Sequence, residues 1–377
     1  MKYYIIAGEA SGDIHAANLM KALQQGDPAA VFRVWGGDLM EAAGGQLVKH
    51  YRDLAFMGFW EVLKNIRTIL GNFRLCKSDI THFEPDVLIL VDYPGFNLRM
   101  AKWAKAQGLT IFYYISPQIW AWHSSRVHQI KKLVDRMFVI LPFEAAFYRK
   151  YQYAVDFVGH PLLDHLAALP PQIAFRQNQQ LDDRPIIALL PGSRRQEITR
   201  ILPLQLQMIA HFPAYQFVVA AAPGQALTFY QELIQSAIPA TSTPPRIVSN
   251  QTHELLRKAQ AALVTSGTAT LETALLDVPQ VVCYTGNPFS YWIARRLVNV
   301  AYISLVNLIL DRPLIRELIQ EEFNEQQLSL ELAQLLDPKQ ANKIKEGYRE
   351  LREKLGHEGA SQRTATLMLQ YLQAPSA

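Results

Sequence analysis

Leu263-Val264-Thr265-Ser266-Gly267-Thr268-Ala269-Thr270-Leu271-Glu272 sets an apolar run directly against a Ser-Gly-Thr turn and a helix start. The short apolar run reads as a buried strand, and the small residues after it read as the turn into a helix. The first N–H groups of a helix have no intrahelical acceptor, and the helix dipole makes that end attractive to anions. With two hydroxyls at the same place, the turn suits a phosphate. Glu272, one turn further on, would repel a phosphate but can reach a sugar hydroxyl. A second glycine turn, Gly8-Glu9-Ala10-Ser11-Gly12-Asp13, follows the apolar run Tyr3–Ala7. Two such strand–loop–helix openings, far apart in the chain, predict two α/β halves facing one another across a cleft. That plan suits an enzyme joining two substrates better than a protein that binds one.

The sequence between these openings alternates in the same way. Strands are predicted at Tyr3–Ala7, Val31–Trp35, Val87–Val91, Thr110–Ile115 and Arg136–Leu141, with helical stretches such as Ile14–Gln24 and Leu98–Gln107 between them. The alternation resumes at Ile186–Leu190, Phe217–Ala221, Ala261–Thr265 and Gln280–Tyr284. Strands alternating with helices predict βαβ units and doubly wound parallel sheets. The Pro170-Pro171 pair and the Gln/Asn/Asp-rich run after it mark a change of texture. The expected organisation is a Rossmann-like domain over 1–168, a hinge over 169–184, a second Rossmann-like domain over 185–335 and C-terminal helices over 336–377.

Bulk composition narrows the class. The chain has 377 residues, half of them apolar and 19% charged, which is enough for two cores of about 150–200 residues each. A net charge of +4 is too small to argue for nucleic acid, and none is expected as a partner. Cys76 and Cys283 lie far apart in apolar runs and read as buried free thiols of a reducing compartment. The five-residue apolar run at Tyr3–Ala7 is a first strand and too short for a signal peptide. The stretch Ile201–Gln231 carries Pro203, Pro213 and Pro223, so it cannot be a spanning helix. A cytoplasmic location is expected.

Neither half contains G-x-G-x-x-G, which makes a nicotinamide-dependent dehydrogenase a poor fit. No Asp-x-Asp occurs, so no carboxylate pair is evident to bridge a metal to a diphosphate, and neither cofactor nor metal is expected. Neutralisation of phosphate charge then falls to helix termini and cations. Leu190-Pro191-Gly192-Ser193-Arg194-Arg195 supplies both at the carboxyl end of a strand, where such folds bind ligands.

Taken in order, the words GEASGD at 8–13, MGFWEVL at 57–63, VDYPGFN at 91–97, SPQIWAW at 116–122, LPFE at 141–144 and GHPLLD at 159–164 form an ordered set. It continues with LLPGSRRQEI at 189–198, SGTATLE at 266–272 and RLVNVAYISLVNL at 296–308. The set resembles the lipid-A-disaccharide synthase family (family 19), two-domain glycosyltransferases of the type called GT-B, and spans nearly the whole chain. The resemblance implies a GT-B fold whose first domain binds the acceptor and whose second binds the UDP-sugar. It implies an inverting transfer of 2,3-diacylglucosamine from UDP to the 6-hydroxyl of 2,3-diacylglucosamine 1-phosphate. Many members of the family carry a second acid where this chain has Gly95.

The residues take expected roles on that basis. Asp92 follows the apolar run Val87–Val91 and precedes the turn formers Pro94 and Gly95, so its carboxylate is expected to act as the base. A turn or capping aspartate would look the same from spacing alone. Arg194 is expected to meet the diphosphate, because its planar fork forms paired charge-assisted hydrogen bonds. Ser193, Ser266, Gly267, Thr268, Glu272 and Asn307 complete the expected UDP-sugar set. Glu272 is placed on the ribose hydroxyls by analogy with the fold class, against the alternative of a first-turn glutamate favoured by the helix dipole. Glu9, Ser11 and Trp60 are the expected acceptor contacts, with a purely structural turn as the alternative for the first two. Arg195 reads as a solvated helix-start residue, and His160 as a histidine bonded to backbone. Trp120 and Trp122 fit either an acyl-chain contact or a core.

The segment Phe56–Lys77 places Phe56, Trp60, Leu63, Ile66, Leu70 and Phe73 at helical spacing beside Lys64, Arg67, Arg74 and Lys77. Such a stripe can lie in a membrane interface with its cations toward anionic headgroups, and a core-facing helix would show the same pattern. Phe289–Leu310 offers the same choice. Expected partners are UDP-2,3-diacylglucosamine, 2,3-diacylglucosamine 1-phosphate, the cytoplasmic face of an inner membrane and a second copy in a homodimer. Two other functions compete: a UDP-sugar epimerase, which needs no lipid acceptor, and a non-catalytic nucleotide-sugar or lipid-binding protein.

Overall fold

The structure is a computed structural model that describes residues 1–54, 66–122, 124–170, 174–238, 244–287 and 301–374. It divides into two compact units, Met1–Ala167 with Leu355–Ala377, and Ala168–Lys354. The first unit contains β1 (Lys2–Ala7), β2 (Val31–Gly36), β3 (Gly45–His50), β4 (Val87–Val91), β5 (Ile111–Tyr114), β6 (Arg136–Val139) and β7 (Asp156–Phe157). Among the described residues these form one parallel sheet in the order β3-β2-β1-β4-β5-β6-β7. Its central strands are apolar throughout because both faces are covered. Tyr4, Ile6, Leu88 and Leu90 pack into one core, while Tyr3, Ile5, Val87 and Ile89, alternating with them, pack into the other.

The second unit repeats the plan with β8 (Ile186–Leu190), β9 (Gln216–Ala221), β10 (Arg246–Ser249), β11 (Ala259–Thr265), β12 (Gln280–Tyr284) and β13 (Glu317–Ile319). Their order is β10-β9-β8-β11-β12-β13, again parallel. Each sheet therefore reverses its strand order once, between β1 and β4 and between β8 and β11. Ligands of open parallel sheets sit outside the carboxyl ends of the strands at such a reversal. The two glycine turns of the sequence fall on those two points.

The residues after 335 do not stay together. Helices Glu325–Leu336 and Pro338–Leu355 belong almost wholly to the second unit, whereas helix Ala360–Gln373 packs on helix Ala10–Gly26 of the first. A Cβ on Gly26 would lie 2.4 Å from Cδ1 of Leu369, so glycine permits the close approach. Asp164 fixes the start of that helix by accepting from the N–H groups of Ala360 at 3.3 Å and Ser361 at 3.1 Å. Within 169–184, Phe175 is buried in the core of the second unit. Both cysteines are buried free thiols. Among the described residues, no helix is long and apolar enough to cross a membrane.

Candidate functional site

Five motifs of the first unit, those beginning at Gly8, Val91, Ser116, Leu141 and Gly159, gather at the carboxyl ends of β1, β4, β5, β6 and β7. At the reversal point Ala7 is register partner of Val91, so Glu9 and Asp92 leave adjacent strands. Asp92 and Tyr93 both take left-handed backbone, with φ of 45° and 49°. Each such residue costs about 1–3 kcal/mol and persists only when its surroundings hold it. Here they do. The buried Asn97 donates from Nδ2 to the carbonyl of Asp92 at 2.8 Å, and the Tyr113 hydroxyl donates to the same oxygen at 2.6 Å. The Asp92 N–H donates to Tyr114 at 3.1 Å. A Cβ on Gly8 would lie 2.3 Å from the Tyr93 ring, so the glycine of one motif makes room for the aromatic of another.

Burial first, and the nearby Glu9 carboxylate second, push the Asp92 carboxyl up to about 6, with a hydrogen bond from Tyr93 backbone offsetting part of the rise. Such a carboxylate is a better proton acceptor than a solvated one, and it remains mostly ionised near neutral pH. Glu9, at the N-cap of helix Ala10–Gly26, and Ser11 are exposed. Asp13, in the same turn, faces inward and accepts from the N–H groups of Gly37, Leu39 and Met40 at 2.8, 3.2 and 3.1 Å. It anchors the loop after β2, a role the sequence reading did not assign.

His160 is buried, accepts from the Leu162 N–H at 3.2 Å through Nδ1, and is held neutral by burial and by His15, its pKa lowered to about 3. It is the backbone-bonded histidine expected of it. Trp120 packs edge-on against Phe143 at 4.8 Å. Trp60 and Lys64 lie outside the described residues, as do residues 289–300 and the side chain of Trp122. In helix Ile66–Phe83 the predicted stripe divides. Phe73 stacks on Phe96 at 4.4 Å, while Leu70 is half exposed beside exposed Arg67 and Arg74.

In the second unit, a cavity of about 390 Å³ lies at the β8/β11 reversal, lined by Ser193, Thr265, Ser266, Gly267, Thr268 and Glu272 among others. Gly267 has a φ of 148° at the N-cap of helix Thr268–Leu275, and Gly192 has 114° after β8. A side chain is strained at both. The helix start therefore offers backbone N–H groups at the edge of the cavity. Glu272 is half-buried, 3.4 Å from Nε2 of His253, which also lines the cavity. The sequence reading missed His253, because a lone histidine on a helix after β10 carries no spacing signal. It also missed Thr265, whose buried hydroxyl has no hydrogen-bond partner among the described residues. A larger depression of about 920 Å³ beside Gln196, Thr199, Arg200 and Asn287 lies along the flank of helix Arg195–His211.

Arg194 is not among the residues lining the smaller cavity. Its side chain is 66% exposed and pairs with Glu197 at 3.1 Å. Arg195 is exposed at the first position of helix Arg195–His211, as expected, and lies over the Phe229 ring at 4.2 Å. Asn307 is buried with its amide fully engaged, donating to Ile315 and Glu317 and accepting from Leu314 and Ile315. Ser266 donates its hydroxyl to the Ile303 carbonyl at 2.9 Å, leaving its lone pairs for another donor.

The lipid-A-disaccharide synthetase family model matches residues 3–371. A lipid-A-disaccharide synthase from Trichlorobacter lovleyi is 41% identical over 371 residues, covering 97% of this chain and 96% of the relative. That of Syntrophus aciditrophicus is 40% identical over 373 residues, with 97% and 96% covered. Among solved structures, a UDP-GlcNAc 2-epimerase from Neisseria meningitidis bound to UDP-GlcNAc superposes with a TM-score of 0.70 at 14% identity, covering 98% of this chain and all of that one. The calicheamicin glycosyltransferase superposes with a TM-score of 0.60 at 16% identity, covering 100% and 99%. At such identities the likeness shows the fold, two Rossmann-like units of the GT-B type.

Proposed function

The chain belongs to the lipid-A-disaccharide synthase family, and from that premise we propose how its residues divide the transfer of 2,3-diacylglucosamine from UDP to the 6-hydroxyl of 2,3-diacylglucosamine 1-phosphate. The enzyme is a glycosyltransferase of lipid A biosynthesis. A hydroxyl is a poor nucleophile until a base takes its proton. Asp92 accepts that proton while the 6-oxygen bonds to the anomeric carbon. The bond from that carbon to the β-phosphate oxygen breaks in the same step, its electron pair leaves with UDP, and the configuration inverts. The observation that carries this reading is the half-buried Asp92 carboxyl, raised to about 6 at the strand reversal of the first unit.

UDP is assigned to the cavity of the second unit. Ser193 and Thr268 supply hydroxyls, and Ser266, Gly267 and Thr268 supply backbone N–H groups, for the diphosphate. The Ser266 hydroxyl, bonded to Ile303, offers its lone pairs to a donor on the nucleotide, and Glu272 accepts from the ribose hydroxyls. Arg194, held by Glu197, swings from that pair to the leaving phosphate, where negative charge grows in the transition state. Glu9 and Ser11 meet the acceptor, as does Trp60. The half-exposed Leu70 with Arg67 and Arg74 contacts an anionic membrane surface, from which both lipids are drawn.

A coupled assay separates this from the epimerase reading. UDP release should require both acylated substrates and yield the β-1,6-linked disaccharide 1-phosphate. Turnover of UDP-2,3-diacylglucosamine without acceptor would contradict it.

A further inference from the structure

The hydrogen bonds that hold the Ser266 turn continue into a half-buried hub on β13. The Ser266 hydroxyl donates to the Ile303 carbonyl at 2.9 Å, and the Ile303 N–H donates to Oε2 of Glu317 at 2.9 Å. Oε1 of Glu317 accepts from the Ser304 N–H at 2.9 Å, the Ser304 hydroxyl at 2.6 Å and Nδ2 of Asn307 at 2.9 Å. Ser304 and Asn307 are buried, and Val282 of β12 is register partner of Glu317. One carboxylate thus fixes two consecutive backbone positions, 303 and 304, and through Ile303 it fixes the rotamer of Ser266.

We propose that Glu317 is a positioning residue for the nucleotide: it touches neither substrate, but it sets the carbonyl that aims Ser266 into the cavity. The proposal rests on the assignment of UDP to that cavity. It also gives Asn307 its part, as a member of the hub instead of a direct ligand. A carboxylate can accept all four donors, whereas a glutamine of the same size must turn its NH₂ toward at least one of them. Glu317→Gln therefore shifts the 303–304 segment and loosens Ser266 without emptying the site.

The test is a double-mutant cycle on the full chain, with UDP affinity measured by calorimetry and melting temperature followed in parallel. Glu317→Gln and Ser266→Ala should each raise the Kd for UDP about 3- to 10-fold, the span of one lost hydrogen bond. The double variant should be no weaker than the worse single one, because the link is already cut. With donor saturating, turnover of Glu317→Gln should stay within about twofold of the parent, the KM for donor carrying the effect. Should Glu317→Gln fail to fold, Ser304→Ala replaces it in the cycle with the same expectation. Additive effects, or a lowered melting temperature with Kd unchanged, would overturn the proposal while leaving the cavity assignment in place. The arm Glu272→Gln distinguishes the two: if it too leaves UDP affinity unchanged, the cavity assignment fails and the relay falls with it.

Discussion

At the reversal point of the first sheet, β4 ends on an acid that burial and a second acid, Glu9, hold near neutrality. At the reversal point of the second, β11 ends on a Ser-Gly-Thr turn whose backbone N–H groups present partial positive charge. The same topology carries different electrostatics. Both points carry acids and a helix start, and the second differs in setting Glu197 against Arg194 and Glu272 against His253. In the proposed division the nucleotide goes to the second sheet, where the Ser266 turn and Arg194 offset Glu197 and Glu272. The hydroxyl to be activated goes to the first, where Glu9 and Asp92 leave adjacent strands.

The largest effect expected of any single change is at Asp92. Asp92→Asn keeps the left-handed backbone that both residue types tolerate and removes the base, so turnover should fall about 10²–10⁴-fold. UDP affinity should hardly move, and a comparable loss of affinity would break the division between the sheets. Glu272→Gln is the converse variant. It removes a charged acceptor from the ribose side and should raise the Kd for UDP about 10-fold while turnover at saturating donor largely survives. An unchanged Kd would take the nucleotide away from this helix.

Two smaller effects sharpen the character of the first unit. Reversing Arg67→Glu and Arg74→Glu together should lower sedimentation with anionic vesicles about fivefold or more, since each cation near such a surface is worth about 1 kcal/mol. Undiminished sedimentation would leave helix Ile66–Phe83 a plain structural element. The pH profile gives the finest test. In the proposed mechanism Asp92 acts as the carboxylate, so kcat/KM should rise with pH through about 6. The negative charge of Glu9 opposes ionisation of Asp92, so Glu9→Gln should move that limb to lower pH. The displacement should be modest, because burial is the larger cause. A limb that stays put or moves upward would remove Glu9 from the environment of Asp92.

Much of this was readable from the chain alone, and the omissions share a cause. Every central strand announced itself as an apolar run because both its faces are covered. The strands left out, β3, β7, β10 and β13, are the four edges of the two sheets. Gly45–His50 mixes Gln46, Lys49 and His50 with apolar residues, and Asp156–Phe157 and Glu317–Ile319 are too short to show any period. An edge strand bonds a neighbour on one side only and needs no such run. The places of Asp92, Ser266 and Glu272 in the fold were legible because strand–turn–helix grammar sets them. The amide of Asn307, the inward turn of Asp13 and the approach of His253 to Glu272 were not, since each depends on residues brought from other strands.

Crystals of the full chain grown with UDP test the central claim most directly. The diphosphate is expected against the N–H groups of Gly267 and Thr268, the ribose on Glu272, and Asp92 untouched by the nucleotide. Nucleotide density lodged against Asp92 and Glu9, with the Ser266 turn empty, would contradict it.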